Sequence, residues 1–445
     1  MTKTVFLEIE SLDHEARGIA RDEGKVVFVE GALPGEHVVA QIFKKKPKYN
    51  LARSEQVVKS SWLRVAPRCS YFGICGGCAM QHLDGTAQVA VKQRVLEDAF
   101  AHLGRVSPQQ MLPPIHGPQW GYRYRARLTV RYVARKGGVL VGFHERRNSF
   151  VADMRSCEVL PRAVSDLLEP LRGLMGSLSQ PDKLPQIEVS VGETVTALVL
   201  RHMYPLTDDD RERLRQFSRQ HAIQWWLQSK GPETICLLDE RDERQLSYSM
   251  PAFGITMPFR PTDFTQVNHQ INRVLVAKAI SLLEVQAGES VLDLFCGLGN
   301  FTLPLAKVAT SVLGIEGSQS LVDRAQQAAE FNGIANISFQ ARNLFDIEAS
   351  DLMALPAFDR LLIDPPREGA LAVCEALVQL PAERQPTRIV YVSCNPATLA
   401  RDAGVLCGSG PYRLSQAGVV NMFPHTGHVE SIAVFDLKTA TGPDA

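Results

Sequence analysis

The sequence predicts a multidomain protein: a small N-terminal barrel-like β domain, a central α+β region and a C-terminal α/β doubly wound domain. Three observations carry this. From about residue 263 the chain repeats strand, glycine loop, helix, the order of a parallel sheet covered on both faces. Residues 1 to about 60 read as short strands broken by turns at Glu23-Gly24 and Leu33-Pro34-Gly35, with no helical periodicity. The middle, to about residue 262, mixes cysteine loops, strand signals at 186–191 and 195–200, and a helical stretch near Asp208 to His221. With 445 residues, 45% of them hydrophobic, the chain can bury the cores these parts need.

The first ten residues alternate like a strand and lack the apolar core of a signal peptide, and no uninterrupted apolar run reaches the ~18 residues of a membrane span. The expectation is a cytoplasmic protein without a membrane partner. Thiols stay reduced in that compartment, so a cluster among the nine cysteines points to metal or catalysis.

The net charge of zero hides an asymmetry. Residues 44–68 hold eight basic side chains against Glu55 alone, and residues 123–147 hold eight against Glu145 alone. Lys44-Lys45-Lys46-Pro47-Lys48 reads as the close of the barrel. In the second run Tyr122, Tyr124, Ala126, Leu128, Val130 and Tyr132 alternate with Arg123, Arg125, Arg127, Thr129 and Arg131. That is a strand with one packed face and one basic face, which suits a polyanion such as nucleic acid better than plain solvation does.

In the last block, Ser290 to Phe301 is a buried strand running into a Gly-x-Gly loop, where the backbone can approach a ligand closely. The loop alone would serve NAD or S-adenosylmethionine. Leu313-Gly314-Ile315-Glu316 ends in an acid placed for a ribose diol, Asn343 follows a third strand and Asp364 a fourth. An NAD site shares the ribose acid but neither Asp364-Pro365-Pro366-Arg367 nor the thiol after it, Cys394 in Ser393-Cys394-Asn395-Pro396. In open parallel sheets the crevice lies outside the strands' carboxyl ends, so Asp364 and Cys394 face one cleft. An isolated cysteine is usually a small buried hydrophobe, and Cys236, Cys296, Cys374 and Cys407 are read that way. Cys394 keeps company that reverses the odds.

Cys69, Cys75 and Cys78 form Cys-x5-Cys-x2-Cys with glycines that let a loop wrap a cage. With Cys157 as fourth ligand the set suits iron–sulfur or zinc; with His82 it is a zinc-type site. Spacing leaves these open.

The chain resembles the bacterial RNA uracil-5-methyltransferases over nearly its whole length, most closely the branch acting on 23S ribosomal RNA. The resemblance rests on Asp364-Pro365-Pro366-Arg367, Ser393-Cys394-Asn395-Pro396, the segment from Phe423 to Glu430, and the four cysteines. It implies an OB-like TRAM domain at 1–60, a central RNA-binding domain at 61–262 and an S-adenosylmethionine-dependent methyltransferase domain at 263–445, with the helix at 87–103 packing on the last. It implies a 4Fe–4S cluster on Cys69, Cys75, Cys78 and Cys157. S-adenosylmethionine would be bound by Gln266, Phe295, Asn300, Glu316, Asn343 and Asp364, with Cys394 as nucleophile and Glu430 as base.

The chemistry asks for those types. Carbon 5 of uracil is a poor nucleophile until a thiolate adds at carbon 6, and the carbon 5 proton must then be removed. Asp364 could orient the uracil edge or the methionine amine. Stacked RNA hides the atom, so unpaired loops are the expected substrate. Three rivals remain: a tRNA-directed relative, expected to lack the cysteine cluster and TRAM domain; a second ribosomal RNA enzyme, expected to lack the TRAM domain; and an inactive RNA-binding assembly factor, disfavoured by an intact Cys394 and Glu430. No obligate protein partner is evident.

Overall fold

The computed structural model describes residues 3–13 and 15–438. Met1 and Thr2 of the expected first strand and residues 439–445 of the expected last domain lie outside them. The chain divides into two compact units. One comprises Met1–Lys92, Pro118–Leu246 and Phe423–His428; the other comprises Gln93–Gly117, Ser247–Met422 and Val429–Ala445.

The first unit holds two six-stranded sheets. In the N-terminal one the order is Lys3–Glu8, His37–Lys45, Tyr49–Lys59, Lys25–Glu30, Gly18–Asp22 and Ser11–Leu12. Alternation puts Val5, Leu7, Val27, Val29, Val38 and Ile42 inside a common core. The lysine run does not close this domain. Lys46-Pro47-Lys48 is the turn between its two longest strands, because Pro47 has no amide to donate to a ladder and like charges repel out of any packed edge.

The second sheet runs Cys236–Leu237, Ile223–Gln228, Thr196–Arg201, Gln186–Val191, Arg125–Val133 and Gly138–Gly142. Ala126, Leu128 and Val130 are buried while Arg127 and Arg131 face out, as the alternation requires. Tyr132 departs from it and is exposed, one residue before the strand's end at Val133. Cys236 is exposed on the edge strand, so it is not a packing residue.

The second unit is built on an eight-stranded sheet in the order Ile337–Ala341, Ser311–Glu316, Ser290–Leu294, Arg360–Ile363, Arg388–Ser393, Glu430–Leu437, Tyr412–Val420 and Gln110–Met111, and also holds the two-stranded pair Ser247–Met250 and Ile255–Pro258. The first five strands are parallel, and Glu430–Leu437 runs antiparallel to Arg388–Ser393. The strand order reverses between Ser290–Leu294 and Arg360–Ile363, which makes their carboxyl tips the switch point where such folds bind ligands. Gly104, at the end of the segment following the helix Gly85–Ala99, meets the helix Pro396–Gly404: a Cβ on Gly104 would lie 2.4 Å from the Ala400 carbonyl oxygen. Only glycine permits that approach.

Candidate active site

Each parallel strand of the second unit delivers one candidate to its carboxyl tip. Phe295 follows Ser290–Leu294 at φ +62°, a left-handed conformation rare outside glycine, and Gly297 and Gly299 continue the turn at +55° and +87°. A Cβ on Gly299 would strike Leu303 at 2.4 Å. Glu316 ends the neighbouring strand, its carboxylate accepting from the Gly297 amide at 3.1 Å and the Ser318 amide at 3.2 Å. Asn343 is exposed, its oxygen occupied by the Phe345 amide at 3.2 Å, and the Phe295 and Phe345 rings lie 5.7 Å apart.

Across the switch point Asp364 ends the fourth strand and Cys394 the fifth. Ser393 stands opposite Ser431 in the antiparallel ladder, so Cys394 and Glu430 fall side by side although 36 positions separate them in sequence. Glu430 is 3% exposed and Cys394 half-buried. The loop carrying Asp364 is braced to the thiol loop, since Asn395 Nδ2 donates to the Arg367 carbonyl at 3.0 Å and Thr398 Oγ1 to the same oxygen at 3.2 Å.

Electrostatically the cleft is acid-rich. Burial pushes the Glu430 carboxyl up to about 8, with Asp364 adding repulsion and Arg367 opposing it. Burial alone pushes Asp364 up to about 7. The Cys394 thiol is pushed up to about 11, first by burial and then by Glu430 and Asp364. Such a site favours a cationic ligand, which would relieve the crowded carboxylates.

Sequence reasoning missed Asp293. It is fully buried, one oxygen accepting from Thr302 Oγ1 at 2.6 Å and the other without a partner, and burial raises it to about 8. The signal was available: an acid inside the apolar run Val291-Leu292-Asp293-Leu294. Also missed were Tyr248 and Asn272, which donate to Asn300 Oδ1 at 2.9 and 2.8 Å, while Asn300 Nδ2 donates back to Asn272 at 3.1 Å. Asn300 therefore anchors its loop through a closed amide pair. Gln266 is half-buried before the helix His269–Leu283, and among the described residues no hydrogen bond ties it to the other candidates.

In the first unit, Cys69, Cys75, Cys78 and Cys157 line one small cavity together with Arg123, Phe143 and Met154. Among the described residues no group of three or more His, Cys, Asp or Glu is arranged to hold a metal ion. His82, the alternative fourth ligand, is buried with both ring nitrogens unpartnered and does not line that cavity. The segment Phe423–His428 is held in the same unit: Ala79 and Met80 amides donate to the His425 carbonyl at 2.7 and 2.9 Å, Tyr122 Oη to the Pro424 carbonyl at 2.9 Å, and Trp120 stacks on the His425 ring at 4.0 Å.

The fold and this cleft define a methyltransferase of the α/β class, and the chain belongs to the tRNA (Uracil-5-)-methyltransferase family, whose model matches residues 87–438. A TRAM domain matches residues 2–54. The chain is 63% identical over 431 residues to a 23S rRNA (uracil(1939)-C(5))-methyltransferase RlmD of Bordetella avium, covering 97% of this chain and 90% of that one. It is 60% identical to the protein of the same description from Cupriavidus pinatubonensis, covering 97% and 95%. Among solved structures it is similar to the Pyrococcus abyssi tRNA (uracil-54, C5)-methyltransferase in complex with S-adenosyl-L-homocysteine, with TM-score 0.73, 23% identity and coverage of 98% and 100%. No helix among the described residues is long and apolar enough to cross a membrane.

Proposed function

We propose that this protein transfers a methyl group from S-adenosylmethionine to carbon 5 of a uridine in 23S ribosomal RNA, the one that its relatives' names give as uracil 1939, and that it works in the cytoplasm. The observation that carries this reading is the ladder register that puts Cys394 beside Glu430 at the tips of the central strands, next to Asp364. Cys394 adds through its sulfur to carbon 6 of the uracil, splitting one hard substitution into two easier steps. S-adenosylmethionine, its cationic sulfonium suited to the acid-rich cleft, would supply the methyl group that carbon 5 takes, the methyl–sulfur bond breaking to leave a neutral thioether. Glu430 then takes the carbon 5 proton, carbon 6 releases the thiolate and the ring regains its double bond. Glu316 serves the ribose diol, and Gln266, Phe295, Asn300, Asn343 and Asp364 bind the rest of the cofactor.

The domain limits proposed are 1–60 for the TRAM-like barrel, 61–262 for the central RNA-binding part and 263–445 for the methyltransferase part. The residues lining the cysteine cavity fit a 4Fe–4S cluster by donor chemistry: four cysteines are among them, with Arg123 to offset thiolate charge. Cys69, Cys75, Cys78 and Cys157 would hold it, and its part is structural, since methyl transfer from a sulfonium requires no electron donor. The test is mapping of 5-methyluridine in ribosomal and transfer RNA from cells with and without the protein. Loss of one methyl group in 23S RNA is expected, and loss confined to transfer RNA would overturn the assignment.

A further inference from the structure

Away from the cysteine cavity, at the opposite edge of the central sheet, the first unit carries a cleft of about 370 Å³, a size that suits a small ligand or one unit of a polymer. It lies among the helix Asp208–His221, the strands Ile223–Gln228 and Cys236–Leu237, and the loop from Leu238 to Arg244. Four arginines line it, Arg215, Arg219, Arg241 and Arg244, against two acids, Asp239 and Asp242. With Glu212, which pairs with two of them, the four arginines outnumber these acids by one, and Glu240 and Glu243 stand exposed on the same loop. Arg244 and Asp242 pair at 2.6 Å and brace the loop against the Ala222 and Ile223 carbonyls. Arg215 and Arg219 share the single carboxylate of Glu212. Asp239 accepts from the Arg241 amide at 3.3 Å, while no hydrogen bond or ion pair engages the Arg241 guanidinium among the described residues.

A second, independent feature marks the cleft. Trp225, 1% exposed, forms part of its wall, and its indole N–H has no hydrogen-bond partner. A buried donor left unmade costs about 1–3 kcal/mol, so such a group is an uncommon thing to keep. Gln224 beside it is fully used, bonding the Asp242 and Arg244 carbonyls and the Trp226 indole, which fixes the cleft's floor.

We infer that this arginine cleft takes a phosphate-bearing nucleotide of the RNA substrate, outside the uridine that is methylated. The inference rests on the RNA-methyltransferase reading above. Guanidinium forks match phosphate oxygens bidentately, and Arg241 is the one left without a carboxylate partner among the described residues.

The test measures binding of a 23S RNA fragment to the full-length protein across a salt series. The double variant Arg219→Gln, Arg241→Gln should bind about 10-fold more weakly, with a salt slope lower by about 1 to 2. Arg162→Gln, at an exposed arginine elsewhere in the same unit, should change little. Wild-type affinity and slope in the double variant overturn the proposal. So does an equal loss in Arg162→Gln, which would mean a diffuse field, and so does uridine monophosphate competing at the cleft without any effect of the variants on RNA. Methyl incorporation at saturating RNA separates the two readings: it should persist in the double variant, and its absence in wild-type protein would count against the function itself.

Discussion

The thiol of Cys394 and the thiols of Cys78 and Cys157 are pushed the same way by burial, to about 11, 12 and 11, and differ in what surrounds them. After burial, the largest influences that further raise Cys394 are two carboxyls, Glu430 and Asp364. Those that further raise Cys78 are other cysteines, Cys157, Cys75 and Cys69. A thiol among acids has proton acceptors at hand and suits covalent catalysis; thiols among thiols suit a shared positive centre. The difference teaches that a cysteine's role follows from its neighbours' chemistry more than from its own acidity.

The comparison breaks most sharply at Cys394. Cys394→Ala should lower methyl incorporation by at least about 1000-fold yet leave RNA affinity within a few-fold, because phosphate contacts dominate binding. Methylation surviving near the wild-type rate would remove Cys394 from the mechanism. Glu430→Gln should slow turnover by about 100-fold or more, with a covalent methylated protein–RNA adduct accumulating on denaturing gels. Slow turnover without adduct would assign the proton to another base.

On the other side of the comparison, anaerobically purified protein should be brown, with about four irons on the four thiolates. Cys75→Ser should lose the colour and weaken RNA binding several-fold, while S-adenosylmethionine binding measured by calorimetry stays intact. Stoichiometric zinc without iron would replace the cluster assignment.

The smallest effect is thermodynamic. Glu430 holds its proton in the folded chain up to about 8 but releases it near its ordinary value when unfolded. Between those values the folded state binds more protons, so this group's effect is to lower stability as pH rises. Glu430→Gln removes that dependence, and the variant's stability relative to wild type should rise by about 3 to 4 kcal/mol between pH 5 and pH 8. Chemical denaturation at pH 5 and pH 8 checks it: a gap that does not widen with pH would mean the carboxylate is already ionised at rest.

Much of the site was legible because three of the parallel strands, Ser311–Glu316, Arg360–Ile363 and Arg388–Ser393, carry apolar runs that give way to a polar residue at the tip, so Glu316, Asp364 and Cys394 announce themselves. The nearness of Glu430 to Cys394 was not derivable from the residues alone, since it depends on an antiparallel pairing that no local pattern records. Asn300 was visible as a loop residue, but its anchoring by Tyr248 and Asn272 was not, because Tyr248 comes from the short strand Ser247–Met250, upstream of the expected domain start. The lysine run misled for a related reason. Charge marks a turn without saying whether the next strand returns to the same sheet, and Tyr49–Lys59 does.

The ladder that seats Glu430 also sets what can be edited in this chain. Side chains along Glu430–Leu437 alternate between the sheet's two faces, so a single residue inserted just after Glu430 would turn the carboxyl to the far side while leaving composition and length almost untouched. Two inserted residues would restore the face but carry the group one pleat beyond the thiol, roughly 7 Å. Chimeras between relatives should therefore be joined upstream of Ser393 or downstream of Leu437, and any splice between them must keep the count of residues unchanged.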